Sequence, residues 1–390
     1  MRRRLYSGRD LHRALSIAEL RAMARRRLPH FAFEYIDGGA EDELTLRRNR
    51  SVFDAIRFVP DTLVDTSARS LRTLLFGRGS AAPLIIAPTG LNGIAHHRGD
   101  LALARAAAAA GVPFTLSTVS NVRLETVAKE AGGRLWMQLY LFQDRAITDD
   151  IVARAERVGY EALVLTSDAN LFGRREWDRR NYRAPGRLSL RNLFDVALHP
   201  RWLFEVIAAG GVPRFENVID FLPPEARTAA GGVTVFPGLF SPNLSWDDVA
   251  RLRQAWPRKL ILKGVLSVND ALRAAELGCD AIVVSNHGGR QLDSCVSPIE
   301  VLPGIRQAIG DRLTLIVDSG FRRGADVIKA LALGADAVMI GRATLYGLAA
   351  GGEAGVRQAL QLLVEESELV LGQLGCRTLA ELGPHRLRTE

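Results

Sequence analysis

The run Ser285-Asn286-His287-Gly288-Gly289-Arg290-Gln291-Leu292-Asp293 sets a histidine three residues from an arginine, directly after the apolar stretch Ala281–Val284. An apolar run that breaks into Ser-Asn-His-Gly-Gly predicts a buried strand opening into a tight loop. There an imidazole can take a proton while a guanidinium forks onto a carboxylate beside it. The pairing suits an anionic substrate. A second set, Asp318-Ser319-Gly320-Phe321-Arg322 and Gly341-Arg342, follows the next two apolar runs. Glycines that bare backbone N–H groups, with arginines beside them, make a phosphate cradle. Lys263 lies within a further apolar run, where an ammonium is costly to bury without an anion.

These residues need a frame that brings them to one place. From residue 84 short apolar runs alternate with helical segments: Leu84–Ala87, Phe114–Ser117, Leu135–Tyr140, Ala162–Thr166, Leu260–Lys263, Ala281–Ser285, Leu315–Asp318 and Ala337–Ile340. Eight such units predict a TIM-type (β/α)8 barrel, with active groups at the carboxyl ends of the strands. Nearly every run ends in a polar group. In order they are Thr89, Ser117, Gln138 with Tyr140, Thr166 with Asp168, Lys263, Ser285 with His287 and Arg290, Asp318 with Arg322, and Gly341 with Arg342. The loops after strands seven and eight are the usual phosphate site of this fold. A doubly wound sheet would carry GxGxxG after its first strand, and Pro88-Thr89-Gly90 stands there instead.

Residues 1–80 read as a helical and irregular cap, with a Ser16–Glu19 capping-box pattern opening a helix that Pro29 closes. The barrel spans 84–375 within a single domain over 1–390. Strand starts lie 21 to 34 residues apart except between Ala162 and Leu260, where the gap is 98. An insertion over about 187–240 therefore follows strand four. It carries Phe194, Trp202, Phe204, Phe215, Phe221, Phe236 and Phe240. An insertion that long is usually functional or disordered. Arg179, Arg180 and Arg183 lie at its start. With no spanning run, the segment is expected to touch a membrane surface peripherally.

The chain is 47% hydrophobic and 24% charged, the balance of a globular protein with ample core. Its net charge of +8 is carried by scattered arginines interleaved with acids, which argues against a nucleic-acid partner. Cys279, Cys295 and Cys376 show no CxxC or metal-ligand spacing. No metal is expected, and a reducing cytoplasm fits. No apolar run follows MRRRLYSGRD, so no secretory signal is expected.

Taken together, the motifs resemble the FMN-dependent α-hydroxy-acid dehydrogenase/oxidase family, which includes glycolate oxidase, lactate dehydrogenase and mandelate dehydrogenase. The carriers are Tyr35 with GGAEDE, APTG, LSTVSN, QLY, LTSD followed by GRRE, LKG, SNHGGRQLD, DSGFRRG and GRATLYG, from Leu28-Pro29 to about Gly375. LNG after APTG, HPRW at 199–202 and DSGFRRG…KALALGA are similar to the membrane-associated bacterial (S)-mandelate dehydrogenase branch. The resemblance implies FMN as cofactor, with His287 as base and Asp168 orienting it. Arg175 and Arg290 would clamp the substrate carboxylate, and Tyr35 and Tyr140 would hydrogen-bond the substrate. Pro88, Thr89, Gly90, Ser117, Gln138, Thr166, Lys263 and Ser285 fall at flavin-ring positions. Asp318, Gly320, Arg322, Gly341 and Arg342 fall at ribityl and phosphate positions.

Val119 stands where the glycolate oxidases have tryptophan, which implies a wider pocket, and Phe172 is expected to line it. Gly90 stands where related oxidases more often carry alanine, which implies a dehydrogenase with a quinone-type acceptor. A mandelate-like (S)-2-hydroxy acid is the favoured substrate. L-lactate dehydrogenase, or an oxidase that makes hydrogen peroxide, is the alternative. The family habit implies a homotetramer, here cytoplasmic and peripheral on the inner face of the membrane. A phosphate-binding barrel of the IMP-dehydrogenase kind would need a nucleophilic cysteine in its active-site loop. Cys279 precedes strand six, and Cys295 has no partner base.

Overall fold

The computed structural model describes residues 4–184, 186–227 and 236–389. Eight parallel strands close into a barrel: β1 Leu84–Ile86, β2 Phe114–Leu116, β3 Leu135–Leu139, β4 Ala162–Thr166, β5 Lys259–Val265, β6 Ala281–Val284, β7 Thr314–Val317 and β8 Ala337–Ile340. Each strand pairs with its sequence neighbours, and β8 closes onto β1 through Val338–Leu84, Met339–Ile85 and Ile340–Ile86. All eight runs expected from the sequence are strands, within a residue or two at their ends.

The runs are continuous because both faces of each strand are buried. Ile85, Trp136, Val164, Ile261, Val283, Ile316 and Met339 fill the barrel interior. The alternate residues Ile86, Leu163, Leu262, Ile282, Leu315 and Val338 join the core shared with the outer helices. Burying each such side chain stabilises the fold by about 1.5–3 kcal/mol.

The cap contains more than helices. Ile17–Arg27, His30–Asp37 and Leu44–Ser51 are helical, and Ser16 Oγ accepts the Glu19 N–H as a cap. The Glu19 carboxylate, however, turns to the N–H groups of Tyr6 and Leu15, so the reciprocal half of the expected capping box is not made. A hairpin of Thr73–Leu75 and Arg78–Ser80 sets Phe76 against Trp136, with ring centroids 5.5 Å apart, and closes one end of the barrel. Ile56–Phe58 pairs antiparallel with Leu387–Thr389, so the chain's last described residues return to the cap. The turn after His30–Asp37 reaches over the opposite end. There the Ala40 N–H donates to Gly289 O at 2.9 Å and the Glu41 N–H to Arg174 O at 2.9 Å.

The insertion is ordered over its described residues, while 228–235 lie outside them. A short hairpin, Tyr182–Ala184 with Arg187–Leu188, leads into the helix Leu190–Ala197. Pro200–Trp202 then runs on into a π-helical turn at Leu203–Ala208. The structure divides the aromatic residues that the sequence groups together. Trp202 and Phe215 are buried, and the Trp202 indole N–H donates to Ile94 O at 2.7 Å. Phe194 and Phe204 are exposed, together with Leu190, Leu193 and Leu198. Membrane contact is expected for all of 187–240; among its described residues an outer stripe is available to it, while Trp202 and Phe215 pack inward. Among the described residues no helix is long and apolar enough to cross a membrane.

Candidate active site

The carboxyl ends of the strands surround a cavity of about 390 Å³. His287 stands on the loop after β6 with φ +56°, followed by Gly288 at +68° and Gly289 at +72°. The left-handed region strains any residue with a Cβ. Three bonds hold the loop there. The His287 N–H donates to Ser285 Oγ at 3.0 Å, Gly288 N–H to Ser319 Oγ at 3.0 Å and Gly289 N–H to Asn286 Oδ1 at 3.2 Å. The turn aims the His287 ring at the end of β4, where Nδ1 meets Asp168 Oδ1 at 3.0 Å. Burial alone would push the Asp168 carboxyl up, but His287 and then Lys263 hold it below its usual range. An ionised Asp168 keeps the ring proton on Nδ1 and leaves Nε2 free to accept one.

The ammonium of Lys263 is buried, and it already has an anion. Its Nζ lies 2.9 Å from Asp318 Oδ2 and donates to Ser285 Oγ at 2.8 Å. Burial favours the neutral amine, yet Asp318 and Asp168 hold Lys263 charged, above its usual range. The anion that a buried ammonium needs is thus supplied by the protein itself.

Two of the arginines that line the cavity are anchored by carbonyls. Arg290 Nη1 donates to Tyr35 O at 2.8 Å and Gly38 O at 3.1 Å, and its guanidinium lies 5.1 Å from the Tyr35 ring centre. Arg342 donates to Ile36 O, Gly288 O and Gly38 O at 3.0, 2.7 and 2.7 Å. Burial, with Arg175 and Arg342 close by, pushes Arg290 down to about 9. An arriving anion relieves that repulsion. Lys263, Arg175, Arg179, Arg290, Arg322 and Arg342 line the cavity against the carboxylates Asp318 and Asp178, so the lining is net positive.

Tyr35, Pro88, Thr89, Gly90, Ser117, Tyr140, Arg175, Lys263, His287, Arg290, Asp318, Gly320, Arg322, Gly341 and Arg342 all border this cavity, as do Val119 and Phe172. Gln138 and Thr166 stand behind Ser117 in a buried chain. Ser117 Oγ donates to Gln138 Oε1 at 3.2 Å, and Gln138 Nε2 donates to Thr166 Oγ1 at 3.0 Å. Ser285 stands behind Lys263 in the same way.

Asp178 is not singled out by the sequence, and Phe240 stands there only among the insertion's aromatics. Asp178 borders the cavity, and one of its oxygens is buried with no hydrogen-bond partner among the described residues. Burial raises its carboxyl, against the pull of Arg175 and Arg290. In the charged run Arg174–Arg180 it reads as solvated surface. Phe240, at the far end of the insertion, comes back to the mouth and packs on Tyr140 and Phe172 at centroid distances of 4.8 and 5.3 Å.

A phosphorylated polar group fits the edge of the cavity at the ends of β1 and β8. Thr89 Oγ1 is buried there without a partner among the described residues. A Cβ added to Gly341 would make only ordinary contact, with Ala87 Cβ at 3.9 Å and Thr89 Cγ2 at 4.0 Å, so nothing crowds the backbone there. Gly341 also opens the helix Arg342–Gln373, whose positive end favours an anion.

A (β/α)8 barrel with such an edge beside a histidine–carboxylate pair is the arrangement of a phosphate-binding barrel enzyme. The chain belongs to the FMN-dependent dehydrogenase family, which it matches over residues 24–389. It is 43% identical to the (S)-mandelate dehydrogenase of Pseudomonas putida, over 96% of this chain and 94% of that one. It is also 43% identical to an L-lactate dehydrogenase of Caulobacter vibrioides, over 94% and 96%. The crystal structure of the monotopic membrane protein (S)-mandelate dehydrogenase superposes with a TM-score of 0.92 at 42% identity, covering 97% of this chain and all of that one.

Proposed function

We propose that the protein oxidises an (S)-2-hydroxy acid to the 2-oxo acid, favours a mandelate-like substrate, and passes the electrons to a quinone-type acceptor. The observation that carries this reading is the His287–Asp168 pair, 3.0 Å apart, in a cavity whose arginines outnumber its carboxylates. Oxidising R–CH(OH)–COO⁻ removes two electrons and two protons. Arg290 and Arg175 fix the carboxylate; Arg290 is already oriented by Tyr35 O and Gly38 O, so little entropy is lost in the clamp. Tyr35 and Tyr140 hold the substrate oxygens. Burial pushes the Tyr140 hydroxyl well up, so it stays a donor at working pH. His287 Nε2 takes one proton, and Asp168 stabilises the imidazolium. Phe172, Phe215 and Phe240 give the cavity an apolar side.

Pro88, Thr89, Gly90, Ser117, Gln138, Thr166, Lys263 and Ser285 would hold the flavin ring, directly or from behind. Asp318, Gly320, Arg322, Gly341 and Arg342 would hold the ribityl chain and phosphate. FMN, when bound, would accept the two electrons and the second proton.

The preference for an aromatic acid rests on Val119, which borders the cavity together with Phe172, and on the similarity to the mandelate dehydrogenases. The test is kcat/KM for (S)-mandelate against L-lactate, measured in competition. Mandelate is expected to be favoured, and a clear lactate preference overturns the choice. The exposed stripe Leu190, Leu193, Phe194, Leu198 and Phe204, and the monotopic relative, support attachment to the inner face of the cytoplasmic membrane. The proposal includes a homotetramer, as the family resemblance implies.

A further inference from the structure

The wall that carries Gly90 and Val119 is tied from behind by a carboxylate that none of the chemistry above uses. Asp100 opens the helix Gly99–Ala109 and is fully buried. Its Oδ1 accepts from Asn92 Nδ2 at 2.7 Å and its Oδ2 from the Asn121 N–H at 2.9 Å. Asn92 Nδ2 also donates to Thr89 O at 2.9 Å. Asn121 Oδ1 accepts the Gly93 N–H at 2.8 Å, and its Nδ2 donates to Arg214 O of the insertion at 2.7 Å. One carboxylate thus joins the loop after β1, the loop after β2 and the inner end of the insertion.

The joint has no slack. A Cβ at Gly90 would stand 2.3 Å from Val119 Cγ2, and one at Gly99 would stand 2.6 Å from Asn92 O. The Leu91 N–H donates to Val119 O at 3.2 Å. Leu91 and Arg98, at the two ends of the β1 loop, are both held in the left-handed region, at φ +55° and +52°. Neither is glycine, so the surroundings hold the strain. Burial pushes the Asp100 carboxyl up to about 6, against the donors of Asn92, Asn121 and Ser120. A carboxamide would fill the same space without that penalty, but it offers one acceptor where two donors arrive.

We propose that Asp100 is a positioning residue whose buried carboxylate, acting through Asn92 and Asn121, sets the Gly90–Val119 wall and so the fit of the substrate's side chain. This rests on the cavity being the hydroxy-acid site. Neither Asp100 nor Asn92 borders the cavity, so both act only through the wall.

The test reads binding without turnover. The FMN-loaded protein is titrated with phenylacetate and with acetate, which carry the carboxylate but no hydroxyl, and the flavin absorption band is followed. Misplacing an apolar wall by about one methylene changes affinity for the bulky group by roughly tenfold or more. Asp100→Asn and Asn92→Ala are each expected to weaken phenylacetate about tenfold while acetate stays within about twofold. Asn92→Ala leaves the carboxylate in place and carries the test should Asp100→Asn fail to fold. If both acids weaken equally, or neither does, Asp100 only stabilises the fold and the positioning role is overturned. Wild-type protein that binds neither acid overturns the functional reading itself, and this proposal with it.

Discussion

Replacing Asp168 with asparagine keeps its shape and removes the charge that faces His287. The ring nitrogen lies 3.0 Å from the carboxylate oxygen, and the carboxyl is held ionised by His287 and Lys263 against its burial. A hydrogen bond to a charged partner contributes about 1.5–3 kcal/mol. Losing it from the imidazolium slows proton transfer by about 10–160-fold, at 1.36 kcal/mol for each factor of ten. An amide can also hold the ring in the wrong tautomer, which brings the total into the range of about 10²–10⁴-fold for a lost general base. His287→Ala is expected to fall in the same range. Because the two act as one unit, the double variant should be barely slower than His287→Ala alone. The assay is anaerobic stopped-flow bleaching of the flavin by (S)-mandelate, normalised to bound FMN. FMN content should stay near that of the wild type in all three variants. A wild-type bleaching rate in Asp168→Asn, or losses that multiply in the double variant, refutes the pairing.

Arg290→Met and Arg175→Met should each weaken binding of the substrate carboxylate by about 1.5–3 kcal/mol while FMN stays bound; if a 2-hydroxy amide binds the wild type as well as the acid does, there is no clamp. Changing Leu190, Leu193, Phe194 and Phe204 together to serine should release the protein from membranes and leave it active, since these side chains are exposed. Unchanged sedimentation with vesicles would remove the attachment surface. The reduced enzyme should reoxidise slowly in air and quickly with a soluble quinone. Peroxide made in air as fast as quinone is reduced would mark an oxidase.

The barrel was legible because its strands are buried on both faces, which writes each one as an unbroken apolar run ending in a polar residue. His287, Arg290 and Lys263 stood out because their types are unexpected next to such runs. What the sequence hid is non-local. The strand Ile56–Phe58 pairs with a segment more than 300 residues away, and three residues give too little alternation to see. The anion for Lys263 is Asp318, two strands along, which no spacing rule reveals. Asp178 was lost in a charged run, and the insertion's aromatics look alike until packing separates Trp202 and Phe215 from Phe194 and Phe204. Asp100 reads as an ordinary acid in the first turn of a helix, and only its two donors from neighbouring loops mark it.

The central claim is that this cavity removes two electrons from a 2-hydroxy acid using bound FMN. The most direct measurement is anaerobic titration of the purified wild-type protein with (S)-mandelate, followed at the flavin absorption band. The purified protein is expected to be yellow with one FMN per chain, to bleach fully on adding one equivalent, to leave the 2-oxo acid as product, and to stay yellow with (R)-mandelate. A protein that binds FMN but is bleached by neither (S)-mandelate nor L-lactate would contradict it.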